Sequence, residues 1–243
     1  MNQPISEPTE PQFGHFVMSG VDAKKFLQGQ VTADVHKLTQ DFVPTAICNL
    51  KGRVQFGLWL QKTETGFGIV ISQDMQAAFT AHVKKFGAFS KIALSDAKPI
   101  YPAIIDGVPS FDTTDHAQSQ AWQQLSIAQG NYWLTAATSE LYQPQELRLH
   151  QRGGVAYDKG CYLGQEIIAR LYFKSSPKAY LHRVAGTGTP PAAGSDVGKV
   201  SIVNSIATDT GFEALVIARP DELSDLSVLD LPSPLQAAVG RDG

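Results

Sequence analysis

The sequence predicts an α+β fold built on largely antiparallel sheets, and three observations carry that expectation. Val54, Phe56, Leu58 and Leu60 alternate with Gln55, Gly57, Trp59 and Gln61, the period of a half-buried strand. Met75, Phe79, His82, Val83 and Phe86 instead fall on one face of a helix over 74–86, which Gly87 closes. Between and beyond these, strand and helix patterns mix without a regular βα repeat.

Taken in order, residues 1–12 are polar and proline-containing and read as disordered. Helix start signals follow at 21–27: Asp22 suits an N-cap, and Val21 and Phe26 occupy the hydrophobic-staple positions. Residues 42–50 read as a strand, Lys51-Gly52 as its turn, 54–61 as the return strand and 67–72 as another. After the helix over 74–86, strands are expected at 91–94, 101–105 and 132–136, with a polar loop over 106–120. The stretch 139–150 is helical in part and interrupted by Pro144. A helix over 165–173 ends at Ser175-Ser176-Pro177. Past a Gly/Pro/Ala-rich stretch at 186–198, the runs 199–203 and 213–217 read as strands. Pro232-Ser233-Pro234 and Arg241-Asp242-Gly243 read as loose ends. The organisation is a larger α+β body over 13–175 and a small β unit over 176–243.

The chain has 243 residues, 43% of them hydrophobic, enough to bury a sizeable core. A formal net charge of -3 argues against a general polyanion binder. The stretch from Arg148 to Arg183 departs from that balance: Arg148, Arg152, Lys159, Arg170, Lys174, Lys178 and Arg183 stand against Asp158 and Glu166. Such an excess suits either an anionic ligand or RNA phosphate, or it is a solvated basic face. No signal peptide is visible, and no apolar run approaches the roughly 20 residues that span a bilayer, so a cytoplasmic protein is expected. Cys48 and Cys161 are too few for a disulfide framework or for a four-thiolate iron–sulfur site. The sequence holds no G-x-x-x-x-G-K-[ST], H-E-x-x-H or C-x-x-C motif, and no metal site is expected.

The most informative segment is Lys159-Gly160-Cys161-Tyr162-Leu163-Gly164-Gln165-Glu166. It places a cysteine between a lysine and a helix start, where both the cation and the unpaired N–H groups favour a thiolate. The alternative is a buried cysteine in a packing turn. In the first reading Cys161 is a reactive thiol, Lys159 lowers its pKa and Glu166 is a proton acceptor or helix-start partner. In the second the glycines only permit the turn, and Lys159 and Glu166 form an exposed ion pair of little worth.

The octet fits K-G-C-Y-x-G-Q-E at every fixed position, and this pattern resembles the signature of the YgfZ family. These are folate-binding relatives of the glycine cleavage T protein, linked to iron–sulfur enzyme maintenance and to tRNA methylthiolation. Residues 19–35, the Cys48-Asn49-Leu50-Lys51-Gly52-Arg53-Val54 turn, Gln145–Leu149 and Gly198-Lys199-Val200 extend the resemblance in order along the chain. It implies a T-protein-like body of intertwined ferredoxin-like antiparallel-sheet subdomains followed by a small C-terminal β barrel. It also implies tetrahydrofolate in a central cavity. Phe16, Phe26, Trp59 and Tyr162 are candidate wall residues or ordinary core aromatics, and Arg148, His150, Gln165 and Arg170 are candidate polar contacts. The expected partners are folate, iron–sulfur enzymes or their assembly machinery, and weakly tRNA.

Two departures bear on function. The T protein carries an acidic pair after the hairpin glycine, where this chain reads Gly52-Arg53-Val54-Gln55, and its acid beside the L-R-L stretch falls on His150. Folate-dependent aminomethyl transfer, one alternative function, lacks its carboxylate here; a direct RNA-binding module is the other alternative. The loop after the helix, Lys174-Ser175-Ser176-Pro177-Lys178, and the shorter barrel region also differ from the family pattern.

Overall fold

The computed structural model describes residues 10–224 and 226–240. Most of the 1–12 stretch and all of 241–243, read above as disordered or loose, lie outside the described residues.

Among the described residues, two antiparallel sheets and four α-helices make the fold. The larger sheet runs β2-β3-β4-β1-β6-β7, and β5 pairs with β1. Its strands are β1 (Phe13–Ser19), β2 (Val43–Cys48), β3 (Val54–Lys62), β4 (Phe67–Ser72), β5 (Ala93–Leu94), β6 (Lys98–Ile105) and β7 (Val108–Asp112). The hairpin expected from alternation is present, with Val43 opposite Leu60 and Thr45 opposite Leu58. Its turn is held by Asn49, whose Oδ1 accepts from the N–H groups of Lys51 and Arg53.

Alternation decides which face each side chain takes. Phe16, Met18, Phe56, Leu58, Leu60, Ile69 and Ile71 point to one side and bury against α1 (Ala23–Gln30) and α2 (Gln76–Phe86). Phe13, Trp59 and Val70 point to the other, where they meet Phe111, Trp122 of α3 (Ser119–Ala128) and Trp133. Phe13, Trp59, Phe111 and Trp122 pack edge-on or tilted at centroid separations of 4.9–5.8 Å.

The second sheet, a half-barrel, runs β12-β8-β11-β10-β9. Its strands are β8 (Tyr180–Gly186), β9 (Asp196–Val197), β10 (Val200–Thr208), β11 (Gly211–Ala218) and β12 (Ser227–Leu229). Leu181, Val203, Leu215 and Ile217 of this sheet join the Trp59–Trp122 cluster, so one core runs through both sheets. The remaining helix, α4 (Gln165–Lys174), follows the cysteine motif.

Several local expectations are corrected. Asp22 does not cap α1 with its side chain; its Oδ2 accepts from the Lys91 N–H at 2.7 Å, and Val21 is 84% exposed, so no staple forms. β1, β8 and α3 lack a readable period. β1 is a central strand with apolar residues on both faces, Phe13 and Val17 on one and Phe16 and Met18 on the other, which hides the period in the sequence although burial alternates along the strand. The 106–120 loop contains β7 and the start of α3. Residues 132–136 pair with no strand; the Asn204 side chain takes that role, accepting from Trp133 N–H at 3.0 Å and donating to Trp133 C=O at 2.9 Å. No α-helix forms over 139–150, where Arg148 sits at φ 54 and only a short 3-10 helix follows over Leu149–Arg152. The 232–234 segment is pinned, with Leu231, Leu235 and Val239 buried.

Candidate functional site

The cysteine motif is laid against the end of α1. The Lys159 ammonium is buried and donates to the carbonyls of Val31 at 2.7 Å and Ala33 at 2.8 Å. It also sits 4.8 Å above the Tyr162 ring. Nearby, Thr32 Oγ1 donates to Gly154 C=O, and the N–H groups of Ala156 and Leu163 donate to the carbonyls of Thr32 and Gly29. Burial draws the Lys159 pKa down to about 8, with Asp34 partly opposing the shift. Lys159 is therefore a buried clamp on the backbone and forms no ion pair with Glu166 among the described residues.

The far side of the motif is fixed by close packing of two glycines. Gly164 has φ 79, and a Cβ there would lie 2.5 Å from the Asn49 carbonyl oxygen and 3.4 Å from Gly52 Cα. Gly52 has φ 71, and its own Cβ would meet Ile167 at 2.9 Å. The helix start thus rests on the hairpin turn, which explains why glycine stands at both places. Gly160 does not share this constraint, because a Cβ there meets nothing within 4 Å.

Between the two anchors stands Cys161, exposed and with no hydrogen-bond partner among the described residues. Glu166 is exposed in the first turn of α4, where the helix dipole favours an acid, and Gln165 is half-buried beside it. Cys48 is the opposite case: it is fully buried beneath the motif, its Cβ 3.2 Å from the position a Gly164 Cβ would take, and burial pushes its thiol up. Tyr162 is buried with its hydroxyl unpaired, and burial, then Cys48 and Tyr157, push that hydroxyl up as well.

The remaining sequence candidates do not converge on one cavity. Phe16 and Phe26 belong to the helix-side core, with Phe16 5.4 Å from Phe79, while Trp59 and Tyr162 lie in the core on the other face of the sheet. Phe16 and Trp59 point to opposite faces of the sheet, with Phe26 packed on the first and Tyr162 on the second, so the four do not form a common wall. Arg148 is buried and donates to the carbonyls of Leu181 and Ala237 and to Gln151 Oε1, with Tyr180 under its guanidinium. His150 is largely buried, its Nδ1 has no partner, and burial together with Arg148 lowers its pKa to about 4. Arg170 is exposed on α4.

The basic stretch 148–183 does not form one surface. Arg148 and Lys159 are buried, Arg152 stands over Tyr132 and donates to Asn131, and Arg183 pairs with Glu213 at 2.8 Å. Of the seven cations, Arg170, Lys174 and Lys178 are exposed, and none of the three forms an ion pair among the described residues.

A cavity of about 510 Å³ opens beside the motif. Ala33, Asp34, Lys37, Val155, Tyr157, Asp158 and Tyr172 are among its lining residues, and none of the sequence candidates is. Tyr157 and Tyr172 stack at 3.7 Å with an 11° interplanar angle, and the Tyr157 hydroxyl accepts from Gln145 Nε2. At the mouth Lys37 bridges Asp158 at 3.0 Å and Asp34 at 3.8 Å. The volume lies in the range of small-molecule sites. An aromatic wall and two carboxylates suit a flat ring that carries N–H donors, with Lys37 paired to both acids at the edge. Behind the wall, the carbonyl oxygen of the buried Gln145 side chain also lacks a partner. Sequence reasoning missed Tyr157 and Asp158, which directly precede the octet, and Tyr172, which a helical turn count from Gln165 could have placed on the same side. A second cavity of about 850 Å³ lies between the large sheet and the half-barrel, lined in part by Gln12, Asp74, Trp133, Pro191 and Asn204.

No family model matches the chain. It is 27% identical over 248 aligned positions to the "tRNA-modifying protein YgfZ" of Escherichia coli O7:K1, covering 80% of this chain and 76% of that one. The protein of the same name from an Enterobacter species is 28% identical over 74% of this chain and 72% of its own length. Among solved structures, the glycine cleavage system aminomethyltransferase T of Bartonella henselae superposes with a TM-score of 0.67 at 13% identity, covering 90% of this chain and 83% of that one. The fold is that of the aminomethyltransferase, and the sequence relatives are YgfZ proteins.

Proposed function

We propose that this relative of the tRNA-modifying YgfZ proteins is a cytoplasmic, folate-binding accessory factor that supports iron–sulfur clusters in client enzymes, those of tRNA methylthiolation among them. The observation that carries the reading is Cys161: an exposed, unpartnered thiol held between two buried anchors, the Lys159 clamp and the Gly164–Gly52 contact. A turn that served only packing would bury its cysteine, as the fold does with Cys48. Cys161 acts as a redox-sensitive or transiently ligating thiol presented to a client.

Tetrahydrofolate carries one-carbon units, and the 510 Å³ cavity suits it. The stacked Tyr157–Tyr172 pair would support the pterin, Asp34 or Asp158 would accept from its N–H donors, and Lys37 would meet the glutamate tail. Aminomethyl transfer is not favoured. Arg53 stands at the hairpin position in question and its guanidinium reaches toward Glu146 at 3.8 Å and Leu141 C=O.

Complementation tests the reading. In cells lacking their native relative, tRNA methylthiolation is measured with wild type or Cys161→Ala at equal abundance. Wild type is expected to rescue and the variant to fail. Rescue by Cys161→Ala removes the thiol role, and failure of wild type removes the accessory function. Separately, calorimetric titration with tetrahydrofolate is expected to show binding that Tyr157→Ala weakens; unchanged affinity in that variant would place folate elsewhere.

A further inference from the structure

A group of exposed, unpaired lysines lies far from the cysteine motif in sequence. Lys84, Lys85 and Phe86 close α2, and Phe89 follows in the turn. The chain then returns to the start of α1. Lys91 C=O accepts from the Asp22 N–H at 3.3 Å, and the Lys91 N–H donates to Asp22 Oδ2 at 2.7 Å. This brings Lys91 beside Val21, Lys24 and Lys25. All five lysines are exposed, and none forms an ion pair among the described residues. Asp22 is the single acid within 20–27 and 84–92.

Folding accounts for only part of this arrangement. Lys84 and Lys85 complement the C-terminal end of α2. Lys24 and Lys25 do the reverse: they stand in the first turn of α1, where the dipole disfavours cations. Phe89 is 104% exposed and has no ring partner among the described residues, and Phe86 is 43% exposed with the Lys85 ammonium 5.3 Å from its ring centroid. A free flat ring amid unpaired lysines is the chemistry that holds single-stranded nucleic acid: the ring stacks on an unpaired base and the cations follow the phosphates.

We infer that the surface formed by Lys24, Lys25, Lys84, Lys85, Lys91 and Phe89 docks a single-stranded RNA segment. The choice of RNA over an anionic membrane follows from the apolar component. It consists of a few separate side chains, not the long apolar helix face that interfacial insertion uses. The inference stands apart from the folate and thiol reading, since no residue is shared.

The test is fluorescence anisotropy of the full chain with a labelled single-stranded RNA about 12 nucleotides long, a duplex of the same sequence, and phosphatidylserine vesicles. Binding to the single strand is expected, weakening about a hundredfold between roughly 50 and 200 mM salt if all five lysines meet phosphates. Phe89→Ala should weaken it about tenfold. Lys84→Glu with Lys85→Glu should abolish it at moderate salt, while Tyr157→Ala should leave it unchanged. Phe89 touches no other ring, so its replacement leaves the fold intact even where the charge reversals do not. Equal binding by wild type and Phe89→Ala, no binding at low salt, preference for the duplex, or binding to vesicles alone would each overturn the proposal.

Discussion

Replacing Gly164 with alanine tests how rigidly the cysteine motif is held. The residue has φ 79, where an alanine costs about 1–2 kcal/mol. The new Cβ would also lie 2.5 Å from the Asn49 carbonyl oxygen and 3.2 Å from Cys48 Cβ, and neither is the mobile end of a side chain. Overpacking of that kind costs about 1–3 kcal/mol. The entropy removed from the unfolded chain offsets about 0.4–1 kcal/mol. The net destabilisation is about 2–4 kcal/mol, and at about 2–4 °C per kcal/mol for a chain of this size Tm should fall by about 5–15 °C. Gly160→Ala is the internal control. Its Cβ meets open space and its φ is outside the left-handed region, so Tm should hold or rise slightly. Thermal unfolding followed by circular dichroism measures both. Equal Tm for Gly164→Ala and wild type would refute the anchored-turn argument, and so would equal losses in the two variants.

Four further outcomes are expected. Iodoacetamide should modify Cys161 in the native protein and reach the buried Cys48 only after unfolding, as mass spectrometry of the two peptides would report. Asn204→Ala should destabilise by roughly 2–4 kcal/mol in urea titrations, because it strips both the N–H and the C=O of buried Trp133 of their partner. Burial lowers the pKa of His82, His150 and His182 to about 4, so their neutral forms stabilise the fold above pH 6.5 and that contribution is lost as pH falls through 4. The unfolding free energy from urea titrations should therefore drop between pH 7 and 4.5, by on the order of 1 kcal/mol less in a His150→Gln, His182→Gln double variant. Lys159 has a folded pKa of about 8 against 10.5 unfolded, so its contribution grows as pH rises across that window. The stability difference between wild type and Lys159→Met should shift in favour of wild type from pH 8 to 10, and a flat difference would mean the ammonium is not buried.

Local patterns carried much of the fold. Period-two alternation identified the 54–61 strand, and period 3.6 identified α2, because each element has one wet face and one dry face. The octet marked the motif because its residue types are unusual together. β1 and α3 were missed: β1 is wrapped by apolar neighbours on both sides, and Gln118 gives α3 no side-chain cap. Residues 132–136 look like a strand locally, yet their partner is one asparagine side chain 71 residues away.

The sequence by itself determined the α+β class, the hairpin, α2 and α4, since propensity, period and motif spacing are properties of neighbouring residues. Only the tertiary structure decided what each charge does. It turned Lys159 from an activator of the thiol into a clamp on Val31 and Ala33, buried Arg148 and laid Arg152 over the Tyr132 ring. It left the open basic surface at the junction of α1 and α2, whose lysines lie some 60 positions apart along the chain. The reason is that burial and partner geometry set the worth of a charge, and both are fixed by residues distant in sequence.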